Sequence, residues 1–230
     1  MSIVVEVDPE VESLGVYLWY AVVEDVDNRS PCPGLEDLIR SVLSEVRSRL
    51  RLEDLRDHPH VRPFRDLYWR LGIDPTKQRP AHEALLRRVL RGEDLPRVSP
   101  VVDIGNIVSI RHVLPVGMYD LDKVKTTRLR LRFAREGETV KLLGAGERRL
   151  TKNQIVLAAD DQILHVFPHR DSENTAITPD TKRVLIVVAA LDPIPQSAPR
   201  DCIQEILQHL HTYTKAKTTQ PPTTTKPKNI

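Results

Sequence analysis

The chain has 230 residues, enough for one large domain with a buried core, and its 40% hydrophobic and 29% charged content is ordinary for a globular protein. No apolar run approaches about 18 residues and the acidic start lacks a cationic signal region, which excludes membrane-spanning and secreted classes and predicts a cytoplasmic location. Residues 212–230 hold four Lys and no acid, so the net charge of +2 leaves −2 for residues 1–211, and the body is not a generally basic nucleic-acid binder.

Two strands are predicted at residues 3–7 and 16–23, followed by a long amphipathic helix over residues 35–55. A short helix over residues 64–71 carries Tyr68 and Trp69. These rings could serve as base-stacking platforms, but packing against the long helix is favoured because large aromatics bury much area.

Metal and cofactor signals are weak. Cys32 and Cys202 lack the spacing of metal ligands or redox pairs, and an intracellular setting favours free thiols. His58 and His60 flank a proline in a loop without nearby carboxylates, which favours an ordinary loop over a metal site. We therefore predict no metal and no cofactor.

The central stretch begins with a polar loop, and Pro80 then starts a helix over residues 81–91 that Gly92 ends. Residues 101–110 are so densely apolar that we predict a buried strand. Asp103 and Asn106 lie within this run, and buried polar groups need partners, because an unpaired one costs roughly 1 to 3 kcal/mol.

A basic segment follows. Between residues 123 and 135 there are six basic residues and no acidic one. Arg128, Arg130 and Arg132 alternate with apolar residues, which predicts a strand with three guanidinium groups on one face. Such a face suits phosphate contact, because arginine offers a planar fork of donors. The alternative is a solvated face paired with carboxylates from elsewhere.

The second half is rich in predicted strands, at residues 139–143, 155–159, 163–167 and 184–190, with a last helix over residues 201–211. Pro168 argues against His165 and His169 as a helical zinc pair. The segment 212–230 is predicted to be a disordered tail, which leaves residues 1–211 as a single domain. Because helices and strands come in runs, we predict an α+β fold with a mixed, mainly antiparallel sheet.

Several short motifs occur in a fixed order along residues 65–210. They are Arg79-Pro80, Asp103-x-x-Asn106, Pro115-x-Gly117-x-x-Asp120, Asp160-Asp161, the run from Phe167 to Ser172, and Thr175-x-x-Thr178. In this order they resemble the tRNA-binding and editing module of the phenylalanyl-tRNA synthetase β subunit, its B-three/B-four domain. They resemble still more closely the free-standing proteins built from that domain alone, and the resemblance implies the same α+β fold.

In the synthetases, the resembling domain removes tyrosine wrongly attached to the phenylalanine tRNA, a second sieve where binding alone cannot discriminate. The bond is an activated ester, so a site must hold the tRNA 3′ end, place a water and stabilise an oxyanion. The resemblance implies Asn106, Glu83 and Asp171 as catalytic candidates, Asn106 binding the aminoacyl group or ribose, and Glu83 or Asp171 orienting water. It implies Arg79, Arg170, Thr175 and Thr178 as substrate-binding candidates beside Arg128, Arg130 and Arg132.

Two departures from the family pattern limit what carries over. Many synthetase domains have His where this chain has Gly117, and a glycine-rich segment where it has residues 167–172, so tyrosine specificity does not carry over. Simple ion pairs, Arg79 with Glu83 or Arg170 with Asp171, would also explain the polar clusters.

Three functions stay open. The first is a trans-acting deacylase that hydrolyses the ester at the aminoacylated 3′ end of a mischarged tRNA. The second is a non-catalytic tRNA- or RNA-binding module that uses the arginine strand and the basic tail. The third is a binder or hydrolase of a small amino-acid-like ligand. No DNA or membrane partner is expected.

Overall fold

A computed structural model describes residues 2–226. Among them, no helix combines the length and the apolar character needed to cross a membrane. The α-helices of this part are α1 Pro9–Glu12, α2 Leu35–Arg49, α3 Arg62–Arg70, α4 Ala81–Leu90, α5 Pro100–His112 and α6 Ser197–Thr214. The strands are β1 Val4–Val7, β2 Val16–Glu24, β3 Val116–Asp120, β4 Arg128–Phe133, β5 Thr139–Leu142, β6 Gly146–Arg149, β7 Ile155–Ala159, β8 Gln162–Phe167, β9 Arg170–Asp171, β10 Val184–Leu191 and β11 Lys217–Thr224.

The strands form two main sheets, with orders β1-β4-β7-β8-β9 and β11-β2-β10-β3. Only the β1–β4 pair among the described strands is parallel, and the other pairs are antiparallel. The predicted α+β fold with a mixed, mainly antiparallel sheet is therefore confirmed. The predicted strands at residues 3–7, 16–23, 155–159, 163–167 and 184–190 are also present, with ends shifted by one residue at most.

The two sheets pack face to face, and α5 and α6 cover the outer face of the four-stranded sheet. The burial of strand β10 agrees with this arrangement. All eight of its residues are buried, as expected for a strand covered on both faces. On the far side of the five-stranded sheet, the β5–β6 hairpin covers a second, smaller core that includes Val140, Leu142, Val156 and Val166. The space between the two sheets is where a ligand site can form.

The apolar run predicted as a buried strand is helix α5, so that prediction was wrong. Ser99 caps the helix by accepting a hydrogen bond from the Val102 amide, and Pro100 occupies the first turn. The helix is packed among α2, α4, α6 and β3, so nearly its whole circumference is apolar and the helical period is hidden. Helix α2 also ends earlier than predicted, because Leu50 is extended at φ −116° and ψ 148°.

The segment predicted to be a disordered tail is ordered over most of its length, which corrects that prediction. Helix α6 runs on to Thr214, and Lys217–Thr224 forms β11, antiparallel to β2. Backbone pairing and β-branched threonines stabilise this strand despite its polar composition. Two prolines are tolerated because β11 is an edge strand. Residues 227–230 of the predicted tail lie outside the described residues.

An ionic cluster joins the end of α5 to α6. Glu205 accepts from Arg111 Nη1 at 2.6 Å, contacts His112 Nε2 at 2.6 Å and lies 3.4 Å from His209 Nε2. Burial alone would raise the pKa of Glu205, but hydrogen bonds from His112, His209 and Arg111 outweigh it and hold the pKa well below its usual range. Glu205 is thus a structural anchor between the two helices that support the sheet.

We expect Glu205→Gln to lower the free energy of unfolding by about 1.5 to 3 kcal/mol at pH 7, the usual loss for hydrogen bonds to a charged group. The folded-state pKa is depressed below the unfolded value of about 4.3, so the stabilisation is complete above that pH and is lost in acid. The denaturation curves of wild type and variant should therefore begin to converge as the pH falls below about 4, and they should coincide only when the pH has fallen below the folded-state pKa of Glu205. Asp201→Asn, on the exposed side of α6, is the control, and a loss independent of pH would contradict the assignment.

Candidate functional site

A small cavity of about 20 Å³ lies between the two sheets, near the start of α4. The four-stranded sheet contributes Gly117 and Tyr119 of β3, and the five-stranded sheet contributes His165 and Phe167 of β8. Ala81, the first residue of α4, completes one end, and the remaining lining is aliphatic. The cavity has room for roughly one water molecule and polar groups on one wall to bind it.

His165 and Tyr119 form the polar part of the lining, and Asp171, which is not part of the lining, contacts His165. His165 Nδ1 lies 2.7 Å from Asp171 Oδ1, and the buried Tyr119 hydroxyl is close enough to Asp171 to be influenced by its charge. An ionised carboxylate only accepts, so with Asp171 ionised the Nδ1 atom carries the proton in this contact, and Nε2 of a neutral ring can act as a base. Burial, followed by the nearby Asp171 charge, raises the pKa of Tyr119 well above its usual value.

The chain folds this group together through strand register. Strands β8 and β9 form a tight hairpin across Pro168, in which His165 is the direct cross-strand partner of Asp171. Opposed side chains on adjacent strands lie about 5 Å apart, which fits a His–Asp hydrogen bond. Asp171 was a predicted catalytic candidate. His165 was considered only as a zinc ligand, and Tyr119 was missed; the signal that could have found His165 was its position opposite Asp171 across a short turn.

Gly117 has a specific steric role in this cavity. A Cβ atom added there would lie 2.1 Å from the Tyr119 hydroxyl oxygen and 2.7 Å from Cζ of the same ring. The Tyr119 side chain thus occupies the space that a larger residue at position 117 would need. The fold therefore accepts Gly117 at the position where many synthetase domains have His, because Tyr119 fills the space that a side chain would occupy.

We expect Gly117→Ala to lower the free energy of unfolding by about 1 to 3 kcal/mol, because the buried Tyr119 ring must move to make room for the added Cβ atom. Chemical denaturation measures this loss. In a Tyr119→Leu background the hydroxyl is gone, so the same alanine should cost clearly less. An equal cost in both backgrounds would show that the Gly117–Tyr119 contact is not responsible.

Other predicted residues lie elsewhere. Asn106 is half-buried on α5, which packs on the edge strand β3, and it is not among the residues that line the cavity. Thr175 is fully buried, and its hydroxyl has no hydrogen-bond partner within residues 2–226. The Thr178 amide donates to Thr181, whose hydroxyl donates to Asp120 at 2.7 Å. The Thr178 contacts therefore hold a loop.

Glu83 does not reach the cavity. It is fully buried on α4, and Arg65 Nη1 donates to both of its oxygens at 2.8 and 3.0 Å. Arg87 Nε lies 3.6 Å from the same carboxylate. These contacts replace the Arg79–Glu83 pair that the sequence had suggested, and they make Glu83 a structural anion rather than a group free to orient water.

Arg170 and Arg79 flank the β8–β9 turn. Arg170 Nη1 donates to the Leu143 carbonyl at 3.1 Å, so the suggested Arg170–Asp171 pair is replaced by the His165–Asp171 contact. The Arg79 carbonyl accepts from His169 Nδ1 at 3.2 Å. The turn that carries Asp171 is thereby attached to the residues that start α4.

The predicted arginine ridge on β4 is largely neutralised. Arg128 and Arg130 are exposed and pair with Glu6, and Arg130 also pairs with Asp8. Arg132 was predicted on the exposed face, but it is 5% exposed and binds Glu138 at 2.6 Å. The alternative interpretation, a face paired with carboxylates, describes this strand better.

Comparison with known proteins identifies the family. The model of the B3/4 domain matches residues 64–215, about two thirds of the chain and all the elements that line the cavity except β2. The chain belongs to the B3/4 domain family. The resemblance stated from the sequence motifs is thereby confirmed.

Relatives of this B3/4 protein include two phenylalanine–tRNA ligase β subunits. The one from Pectobacterium atrosepticum is 29% identical over 180 residues, which are 73% of this chain and 22% of that relative. The one from Carboxydothermus hydrogenoformans is 30% identical over 109 residues, 47% of this chain and 14% of that relative. This chain is therefore similar to one part of much longer proteins.

The fold of this B3/4 protein is also similar to a solved structure, an N-terminal fragment of the phenylalanyl-tRNA synthetase β subunit from Pyrococcus horikoshii. The TM-score is 0.52 at 16% identity, and the match covers 95% of this chain and 50% of that fragment. At this identity the likeness concerns the fold alone. It covers more of the chain than the family match over residues 64–215.

The two aromatic residues of α3 differ in this B3/4 protein. Tyr68 is fully buried, which fits the predicted packing interpretation. Trp69 is 57% exposed, so burial does not account for its ring. Exposed indole rings are suited to base stacking, and for Trp69 this interpretation stays a prediction.

Proposed function

We propose that this protein is a trans-acting tRNA quality-control hydrolase that cleaves the ester of a mischarged aminoacyl-tRNA. The observation that carries the proposal is the contact of Asp171 with His165, a residue that lines the cavity between the sheets. Membership of the B3/4 family supports a role connected with tRNA, because the named relatives are tRNA ligase subunits.

The geometry supports a direct hydrolytic step. Asp171 holds the His165 ring so that Nε2 can take a proton from a water molecule, and the water oxygen then bonds to the ester carbonyl carbon. The resulting oxyanion needs a hydrogen-bond donor, and Asn106 does not supply one from α5, which lies on the outer face of the four-stranded sheet. When the intermediate collapses, the carbon–oxygen bond to ribose breaks, and the proton on His165 passes to the leaving ribose oxygen, which becomes a hydroxyl group.

The second candidate is a non-catalytic tRNA-binding module. The cavity of about 20 Å³ favours this candidate, since it is smaller than any amino-acid side chain beyond the smallest. For the hydrolase, Tyr119 or the residues at the mouth must move aside when the aminoacyl group enters. An amino-acid pocket closed by a movable aromatic ring is compatible with double-sieve selection, where only certain side chains gain entry.

The experiment is release of labelled amino acid from a panel of correctly and wrongly charged tRNAs by the purified protein. Under the proposal, one mischarged species loses its amino acid much faster than the correctly charged species. No acceleration from any member of the panel, together with measurable tRNA binding, would replace the hydrolase by the binding module. Free aminoacyl esters, tested in parallel, would show whether the RNA part is needed.

A further inference from the structure

A second recess, of about 180 Å³, lies on α4 and is lined mainly by arginine. Arg79 precedes the helix, Arg87 and Arg88 project from its last turn, and Arg91 is the residue that directly follows its end. The spacing of three and four residues brings these helix positions onto one side. Ala84 contributes a small side chain there, which leaves the recess open between the long arginines.

The positive charge of this arginine recess exceeds the nearby negative charge. Four guanidinium groups and one carboxylate, Glu93, line it, and Glu93 pairs with Arg88 at 3.4 Å. Arg79 and Arg91 have no ion-pair partner within residues 2–226. Burial, opposed by Glu83 and reinforced by Arg79, Arg91 and Arg65, lowers the pKa of Arg87, which reflects the crowding of cations.

One buried donor beside the recess is unused. The Nε–H group of Arg79 is buried and donates no hydrogen bond to an acceptor in the described part of the chain, whereas Arg87 Nε lies 3.6 Å from the buried Glu83 carboxylate. Buried polar groups in folded proteins are nearly always hydrogen-bonded, and the exceptions often mark a bound ion or ligand. The guanidinium groups that line this recess are donors suited to the oxygens of a phosphate.

We infer that the arginine recess on α4 binds backbone phosphates of the RNA, and that it does so in place of the arginine strand β4. The β4 arginines already have carboxylate partners, whereas Arg79 and Arg91 are uncompensated. Phosphate contacts supply most sequence-independent affinity for nucleic acids, so this recess sets tRNA affinity.

The position of the recess links it to the cavity between the sheets. Arg79 lines the recess and Ala81 lines the cavity, so the two sites lie on either side of a three-residue segment. The identity of the RNA as tRNA rests on the proposed function, but phosphate binding by the recess does not require hydrolysis.

Binding of uncharged tRNA at several salt concentrations tests the inference, because no ester is present and catalysis cannot contribute. For Arg79→Gln/Arg91→Gln we expect affinity at low salt to fall about tenfold and the slope of log K against log salt to shrink by about 2. The matched control is Arg128→Gln/Arg130→Gln, which removes two charges from β4 and should leave the slope unchanged. Arg91→Gln alone, at an exposed site, serves if the double variant does not fold, with a slope change of about 1.

Three outcomes would overturn the inference: no tRNA binding by wild type, an unchanged slope in both α4 variants, or equal losses in the α4 and β4 variants. The last would show a response to net charge alone. If the variants bind uncharged tRNA as expected while the wild-type protein releases no amino acid from any charged tRNA, the inference about the recess holds and the proposed hydrolase activity is wrong. The binding and release measurements thus test the two proposals separately.

Discussion

Asp171→Asn should reduce amino-acid release from the mischarged tRNA by about 10² to 10⁴-fold, the usual contribution of general acid–base catalysis. The amide can still contact His165 Nδ1, but it carries no charge to stabilise the protonated ring and can present a donor to it. Binding of uncharged tRNA should be unchanged, because the arginine recess does not include Asp171. Single-turnover release and tRNA titration measure the two quantities separately.

Two comparisons make this result specific to the His–Asp pair. Asp161→Asn removes an exposed carboxylate that lies 3.7 Å from Lys125, and this variant should hydrolyse at the wild-type rate. His165→Gln should lose as much activity as Asp171→Asn, and the double variant should lose no more than either, since the two residues act as a unit. Wild-type release by Asp171→Asn would rule out the pair as the catalytic base.

Arg65→Met should lower the free energy of unfolding by about 3 to 5 kcal/mol, because it leaves a buried carboxylate without its bidentate partner. Glu83 is fully buried and Arg65 is 14% exposed by side chain, so neither charge regains full hydration when the contact is broken. Arg87 remains 3.6 Å away and gives partial compensation. Chemical denaturation at neutral pH measures the loss.

The matched control for this buried pair is Arg70→Met, an exposed change in the last turn of the same helix, which should have little effect. Combining Arg65→Met with Glu83→Gln removes the orphaned charge, so the double variant should be more stable than Arg65→Met alone. If the folded double variant still releases amino acid, Glu83 has no part in orienting water. A loss below about 1 kcal/mol for Arg65→Met would contradict the buried-pair account.

The amphipathic helices and most buried strands are predictable from periodicity, because each has one apolar face. The run from Val101 to Ile110 shows the limit of this logic. A helix surrounded by other elements is apolar all round, and only its length and the Ser99-Pro100 start distinguish it from a strand. The prediction for the polar strand β11 failed for the opposite reason. The composition of this segment does not suggest a strand, and the backbone pairing comes from β2, more than 190 residues away in the sequence.

At the site, the sequence motifs pointed to Asp171 but not to its function in company with His165 and Tyr119. Those contacts depend on the β8–β9 register and on two sheets meeting face to face, neither of which a local pattern contains. Glu83 was assigned a chemical role from the sequence because its burial beside Arg65 could not be foreseen. That burial depends on how α3 packs against α4. Arg128 and Arg130 were similarly judged without Glu6, which reaches them only through the parallel β1–β4 pair.

Strand β11 also bears on how copies of this protein behave together. It covers the side of β2 that would otherwise present a row of free amides and carbonyls, the usual template for edge-to-edge association and aggregation. Pro221 and Pro222 fall within the irregular register between Gln220 and Thr223, and neither has an amide hydrogen to offer an incoming strand. By pairing with β2 and placing two prolines on its own length, this polar strand disfavours the addition of a strand from a neighbouring molecule at this edge of the sheet.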